Sequence, residues 1–332
     1  MPQLANRQWI YRQRPEDRLA AHHFAWQPDG RCADPAPGEV LVRVQMLSVD
    51  PSQRAWMAGP SYRPMLQPGG VMASYGVGVV VASRAPGIAA GDRVEGDLGW
   101  QDHAVAPAQA LRVRDATPPI EQVVGVLGIT GVTAYIGLFD IGRPLPGETV
   151  LVSGAAGAVG SIALQLAKRA GCRVVGIAGG RAKCDYVVDS LGFDACIDRK
   201  LDAWEQALEA ACPKGVDVDF ENVGGAVLDA VLRLMNTASR VVLCGLIAEY
   251  SASAPSVHNL RPVLVKRIRM QGMIVFDWKH RYAEAVDALR AHLHAGRIHY
   301  RESIVEGLDN APRGLIALLN GDNFGKQVVR LV

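Results

Sequence analysis

The sequence predicts an α/β protein, a doubly wound and mostly parallel sheet joined to a smaller, mostly β unit. Three observations carry this. Beyond about residue 125, short apolar runs alternate with helical patterns, the order that winds a parallel sheet. Before that point the chain alternates apolar and polar residues and is punctuated by Pro and Gly. Between the two, Thr149–Gly180 (TVLVSGAAGAVGSIALQLAKRAGCRVVGIAGG) reads as strand, glycine turn, helix and strand within one βαβ-sized unit.

The elements follow in order. Glu39–Ser48 (EVLVRVQMLS) alternates and predicts a long strand. Gly76–Ala82 and Gly91–Val94 predict shorter strands, in the punctuation of a small barrel or sandwich. Asp50–Gly70 is loop-rich, with Trp56, Met57, Tyr62 and Met65 too irregular for one helix or strand face. It reads either as a loop folded on its own apolar side chains or as the lid or wall of a pocket. Gly125–Leu138 is apolar and helical, and Thr149–Val152 is a buried strand. A helix bearing Val159, Ile162, Ala163, Leu166 and Ala170 stops at Gly171, and Arg173–Ala178 is the next strand. Helices are expected at Ala182–Leu191, Ala203–Ala211 and Val227–Met235, and strands at Ala195–Ile197, Val216–Phe220, Arg240–Ile247 and Ile268–Phe276. Tyr282, Val286, Leu289 and Leu293 mark a helix ending at Gly296. The tail holds a strand at Ser303–Val305, a helix at Pro312–Leu319 and a final strand at Gln327–Val332.

Composition narrows the function. A chain of 332 residues suggests two domains, and 49% hydrophobic residues suffice for a sizeable core. A net charge of +2 is too small to argue for nucleic acid or a membrane surface as partner. No apolar run approaches a membrane span, and the first residues contain no signal-peptide core, so a cytosolic protein is expected. Cys32, Cys172, Cys184, Cys196, Cys212 and Cys244 include no C-x-x-C pair and fall in or beside predicted buried elements. They read as free thiols, with no metal site. His292 and His294 stand two apart on a helix and face different ways, and His22 and His23 are expected on opposite sides of a strand.

The glycine turn is where chemistry enters. Gly154, Gly157 and Gly160 are spaced G-x-x-G-x-x-G. Gly157 lets backbone approach a pyrophosphate, Gly160 lets the helix pack closely, and the free N–H groups near Ala158 and Val159 point at the phosphates. The bland alternative is a tight strand-to-helix turn with no ligand. The second strand ends Ala178-Gly179-Gly180 and is followed by Arg181 and Lys183, with no carboxylate where an NAD site places one on the ribose. Cations without that acid suit the 2′-phosphate of NADP, unless Arg181 and Lys183 merely open a solvated helix.

Eight collinear segments then share one resemblance. They are SVDPSQR from Ser48, GITGVTAY from Gly128, GETVLVSGAAGAVG from Gly147, GCRVVGIAGGRAKC from Gly171, FENVGG from Phe220, CGLIAEY from Cys244, VHNL from Val257 and GDNFGKQVV from Gly321. Together they resemble the zinc-independent medium-chain dehydrogenase/reductases, in the branch of leukotriene B4 dehydrogenase, prostaglandin reductase and curcumin reductase. The resemblance implies a GroES-like catalytic domain over residues 1–124, a Rossmann NADP-binding domain over 125–299, and a segment over 300–332 that returns to the first. It implies NADPH-dependent reduction of the C=C bond of an α,β-unsaturated ketone or aldehyde without a metal, and a homodimer formed through the strand at Ile268–Phe276.

Carried over by position, the resemblance assigns Gly157, Ala158, Val159 and Gly160 to the phosphate turn, Lys183 to the 2′-phosphate, and Asn222, Cys244, Met273, Val275 and Asn323 to cofactor contacts. Tyr250 becomes the proton donor or enolate-orienting group at the nicotinamide end; read without the family it is a surface turn residue between Glu249 and Ser251. Two positions depart from the family. Arg199 stands where a tyrosine usually contacts the adenosine phosphate. Ser52 stands where the family has a substrate-side tyrosine, leaving Tyr62 or Tyr75 to supply a ring from elsewhere. An NADPH quinone oxidoreductase and a non-catalytic NADPH-binding sensor protein are the competing readings.

Overall fold

The computed structural model describes residues 4–59, 61–250 and 257–331. The chain forms two compact units, one of Met1–Gly125 with Glu302–Val332 and the other of Val126–Arg301.

In the second unit a six-stranded parallel sheet is built from Thr149–Ser153, Arg173–Ala178, Ala195–Asp198, Val216–Glu221, Met235–Leu243 and Arg269–Gly272. Numbered along the chain, these strands lie in the order 3-2-1-4-5-6, the doubly wound arrangement. All five residues of the first strand are buried, because helices cover both faces of a parallel sheet. The first crossover helix, Ala158–Arg169, buries Ile162, Ala163, Leu166 and Ala167 and gives way to Gly171 at φ +83°, the left-handed stop glycine tolerates.

The first unit is a mixed seven-stranded sheet. Its main path runs Glu302–Glu306, Lys326–Arg330, Glu39–Val49, Tyr75–Ser83, Arg93–Asp97, Arg112–Val113, and His103–Pro107 also pairs with Glu39–Val49. The tail strand is antiparallel to the long strand, with Gln327 opposite Val49 and Val329 opposite Leu47. Val40, Val42, Leu47, Leu98, Trp100, Leu315 and Val329 are buried together in its core. No helix among the described residues is long and apolar enough to cross a membrane.

Five expectations change. Ser52–Ala58 is a helix, where the sequence read as irregular loop. Its inner face is Gln53, Arg54, Trp56 and Met57, a helical spacing disguised because two of the four are polar. Gln53 Nε2 donates to the Ala73 carbonyl at 2.8 Å, and Arg54 Nη2 to the Asp17 carbonyl at 3.0 Å, so both can be buried. Pro60, in the same stretch, lies outside the described residues. The fifth strand runs Met235–Leu243, so the preceding helix ends at Leu234 and the strand stops short of Ile247. It stops because the chain turns back: the Cys244 and Gly245 N–H groups both donate to the Glu221 carbonyl. The expected strand at Ile268–Phe276 is shorter, Arg269–Gly272, and passes into a 3-10 turn at Val275–Arg281. His22 and His23 sit on a 3-10 turn with ring centroids 4.0 Å apart, not on opposite faces of a strand. The final strand is Lys326–Arg330, and Val332 lies outside the described residues.

Candidate active site

In the second unit the predicted cofactor residues gather at the carboxyl ends of the first and fourth strands, where the strand order reverses and open α/β sheets bind ligands. Gly154 leaves the first strand at φ +65°. The Gly157 N–H returns to the Gly154 carbonyl at 2.9 Å, and Gly157 itself is the extended N-cap of the helix. A Cβ on Gly160 would stand 2.4 Å from the Gly154 carbonyl oxygen, so only glycine allows the helix to lie this close to the turn. The first-turn N–H groups of Ala158, Val159 and Gly160 have no acceptor within the helix and face the turn's open end.

Asn222 packs against this turn from the fourth strand. A Cβ on Gly154 would lie 3.6 Å from the Asn222 Cβ. The Asn222 N–H donates to Ser153 Oγ at 2.7 Å, and its Nδ2 donates to the Ser153 carbonyl at 2.7 Å. Ser153 Oγ in turn donates to Glu221 Oε1 at 2.5 Å, and that carboxyl also accepts the N–H groups of Val223 and Gly224. Burial pushes Glu221 above the usual carboxylate range even though these donors pull the other way. Asp219, also fully buried, is held well above that range by burial and then by Glu221. Buried Glu221 is thus tied through Ser153, the last residue of the first strand, to both the backbone and the amide of Asn222.

Tyr250 belongs to the same network through backbone. The turn Ile247–Glu249 donates its Ile247 N–H to the Asn222 carbonyl at 3.2 Å and its Ala248 N–H to the Val223 carbonyl at 2.9 Å. Tyr250 follows directly as the half-buried cap of that turn. Gly224, at φ +77°, allows the approach, since a Cβ there would be 2.9 Å from Glu249 Oε1. Cys244 is half-buried, and Met273 and Val275 are buried in the core with Phe220; the Met273 N–H donates to the Leu243 carbonyl at 3.0 Å.

The cations flank the end of the second strand. A Cβ on Gly179 would lie 3.6 Å from Arg199 Nε and 3.6 Å from Lys200 Cε, while one on Gly180 would meet nothing within 4 Å. Lys183 is half-buried one turn beyond, its N–H donating to the Gly180 carbonyl at 3.1 Å. Arg181, by contrast, points to solvent and pairs with Asp185 at 2.7 Å, the ordinary fate of a surface i,i+4 pair. The acid that this strand end needs is structural: Asp198 Oδ1 accepts the Gly180 and Lys200 N–H groups at 2.7 and 3.0 Å. Open space edged by cations, over a glycine pair, fits the phosphorylated ribose of NADP.

The first unit brings its own candidates together. Trp56 Nε1 donates to the Tyr62 phenol oxygen at 2.8 Å, and Tyr62 also hydrogen-bonds the Ser52 side chain. Arg63 lies over the Trp56 ring at 4.4 Å and pairs with Asp97 at 2.7 Å. Asp97 stands opposite Tyr75 across the strand pair and accepts the Ser74 N–H at 3.2 Å. Asp50, which precedes the helix, is held by Lys326 at 2.9 Å and by the Ser48 hydroxyl. The tail strand carries Lys326 there, and Asn323 beside it is buried, its Nδ2 donating to the Gly325 carbonyl at 3.0 Å. Sequence reasoning missed the Asp50–Lys326 pair, whose partners lie 276 residues apart, and the Ser153–Glu221 bond. The Glu in FENVGG was the available signal for the second. Among the described residues no group of three or more His, Cys, Asp or Glu side chains is placed to hold a metal ion.

Comparison with known proteins fits this arrangement. Residues 7–113 match the family described as the N-terminal domain of oxidoreductase, and residues 158–291 the one described as zinc-binding dehydrogenase. The NADPH-dependent curcumin reductase of Escherichia coli (strain K12) is 44% identical over 98% of this chain and 97% of its own length. The NADP-dependent 2-alkenal reductase of Nicotiana tabacum is 41% identical over 88% of this chain and 87% of its own. CurA from Vibrio vulnificus, solved in complex with NADPH, superposes with a TM-score of 0.93 at 42% identity, covering 98% of this chain and 99% of that one. With whole-length identity of this order to reductases of one kind, the chain belongs to the NADP-dependent alkene reductases of the medium-chain dehydrogenase/reductase family.

Proposed function

We propose that the protein uses NADPH to reduce the C=C bond of α,β-unsaturated ketones and aldehydes. The observation that carries this is collinear identity of 44% over 98% of the chain with an enzyme named for NADPH-dependent reduction of curcumin. When bound, NADPH supplies the hydride that is added to the β-carbon. The chain's own residues bind, orient and protonate. The first-turn N–H groups after Gly157 hold the pyrophosphate, and Lys183 with Arg199 holds the 2′-phosphate. Asn222, fixed at both its backbone and its amide by Ser153, orients the cofactor, and Cys244, Met273, Val275 and Asn323 line it. Tyr250 steadies the developing enolate oxygen or delivers the proton to the α-carbon, since a phenol both donates and accepts. Ser52, Tyr62 and Tyr75 form the substrate wall, the Tyr62 ring standing in for the one that Ser52 lacks. No step asks for a metal if hydrogen-bond donors hold the enolate. We further propose a cytosolic homodimer that pairs along the exposed edge strand Arg269–Gly272.

Product identification tests the reading. Incubation with NADPH and 3-nonen-2-one, beside an NADH control, is expected to give the saturated ketone with NADPH and little with NADH. An allylic alcohol would move the chemistry to the carbonyl. Consumption of 1,4-benzoquinone alone would favour quinone reduction, and binding of NADPH with no turnover of either acceptor a sensor. Two variants separate the roles. Lys183→Ala is expected to raise the KM for NADPH by about 10- to 100-fold, the worth of a charge-assisted hydrogen bond, and to leave the KM for NADH nearly unchanged. Tyr250→Phe is expected to slow turnover by about 10²-fold with NADPH affinity kept; unchanged turnover would take the proton from another source.

A further inference from the structure

Two cysteines that the reaction does not use lie against each other beside the 2′-phosphate cations. Cys184 Sγ and Cys196 Sγ are 3.2 Å apart, and both are free thiols. Cys184 is buried on the one-turn helix Arg181–Asp185, and Cys196 is half-buried on the third strand, Ala195–Asp198. A Cβ on Gly176 of the second strand would lie 3.4 Å from Cys196 Sγ, so the sulfur sits directly beneath the sheet. Lys183 immediately precedes one cysteine, and Asp198, which braces the Gly180 N–H, follows closely behind the other.

We propose that Cys184 and Cys196 form a reversible thiol–disulfide site, oxidised by a hydroperoxide, whose closure weakens the hold on NADPH. The second clause rests on the assignment of Lys183 to the 2′-phosphate. A disulfide needs its sulfurs at about 2.05 Å, so closure asks for an approach of roughly 1 Å. The helix must supply it, because Cys196 is fixed in a strand hydrogen-bonded to its neighbour. Lys183, adjacent in the chain, moves with Cys184.

The chemistry balances with hydrogen peroxide as oxidant. The Cys184 thiolate attacks one peroxide oxygen, the O–O bond breaks, and the leaving hydroxide takes a proton to become water. The sulfenic acid left on Cys184 is then attacked by the Cys196 sulfur, which loses its proton as the S–O bond breaks and a second water departs. Two thiols are oxidised, and one peroxide is reduced to two waters. The roles follow from the contact: the Cys196 thiol donates to Cys184 and lowers the Cys184 pKa, while the same bond and then burial raise that of Cys196.

The test uses the whole protein. After hydrogen peroxide, catalase and alkylation with iodoacetamide, trypsin releases Cys184–Arg199 as one peptide, since no Lys or Arg interrupts residues 185–198. The expected product is that peptide unalkylated and lighter by two hydrogens, restored by dithiothreitol and absent from Cys196→Ser. A several-fold rise in the KM for NADPH, with the KM for NADH unchanged, should accompany it. Cys196→Ser should show the NADPH KM of the reduced enzyme both before and after peroxide, because Cys184 oxidised alone cannot close the bridge. Full alkylation after peroxide, or sulfinic acid at either position, would overturn the site. A disulfide that leaves the NADPH KM unmoved, in an enzyme where Lys183→Ala raises it, would overturn the coupling. If Lys183→Ala itself has no effect, the 2′-phosphate assignment falls, and the linked peptide still upholds the thiol site.

Discussion

The phosphate turn of one unit and the helix Ser52–Ala58 with its surroundings in the other assemble their polar groups by different means. Around Gly154–Gly160 the dinucleotide unit works with backbone: glycines at close approach, first-turn N–H groups, and a turn at Ile247–Glu249 pinned by main-chain bonds to Asn222 and Val223. The other unit works with side chains sunk in its interior: Gln53, Arg54, and Lys326 on Asp50. A backbone site depends on what is missing from a residue, and a side-chain site on what is present. The first should fail when an atom is added, the second when one is removed.

Lys326→Met offers the largest effect. It leaves Asp50 with the Ser48 hydroxyl but no counter-charge, at a cost of roughly 2–4 kcal/mol, toward the low end because Asp50 retains some exposure. Chemical denaturation should show the loss, and adding Asp50→Asn should recover much of it. Equal losses in single and double variants would mean that lost packing and the Val49 and Gln327 carbonyls left without the Lys326 Nζ, not an orphaned charge, set the cost. Gly160→Ala adds one carbon against the Gly154 carbonyl and is expected to cost about 1–3 kcal/mol and to weaken NADPH binding, with enone KM spared. Retained NADPH affinity would break the contrast, since the turn would then tolerate what its geometry excludes. Tyr62→Phe removes the acceptor for Trp56 Nε1 and the partner of Ser52, about 0.5–1.5 kcal/mol, and should change the enone KM without changing that for NADPH.

A separate effect is a pH dependence. Burial, then Glu121, raises Glu302 to about 7. The folded state therefore holds a proton that the unfolded chain has released between the ordinary carboxyl pKa and about 7. Stability attributable to this group falls as pH rises through that window. Glu302→Gln should raise the Tm relative to the parent at pH 8 and leave it nearly unchanged at pH 4, below the window; an equal gain at both would point to packing.

Legibility in the sequence follows the same contrast. Gly157 and Gly160 could be found because a glycine requirement is local, three residues wide, and bracketed by strand and helix patterns. The absence of a carboxylate after Ala178 was equally local, although the strand-end acid that exists, Asp198, comes from the next strand and serves the backbone. The helix Ser52–Ala58 was hidden because Gln53 and Arg54 occupy its inner face and erase the apolar period. The Asp50–Lys326 pair and the Cys184–Cys196 contact join different elements, so no window of sequence contains the reason for either. Tyr250 stood out only through the family resemblance; its neighbours Glu249 and Ser251 say surface turn, and Ser251 lies outside the described residues.

The placement of Lys326–Arg330 between Glu302–Glu306 and Glu39–Val49 bears on the order of events during synthesis. The dinucleotide unit is one continuous run, Val126–Arg301, and has every strand it needs once that run has emerged from the ribosome. The other unit begins first and finishes last. The Met46–Val49 end of its long strand has no partner on one edge, and Asp50 lacks Lys326, until residue 330 has been made, while Glu39–Arg43 are already paired with His103–Pro107. For most of translation the earlier-made half is therefore the one exposed to wrong partners, and a chaperone would be expected to find Met46–Val49 open while the dinucleotide unit is already complete.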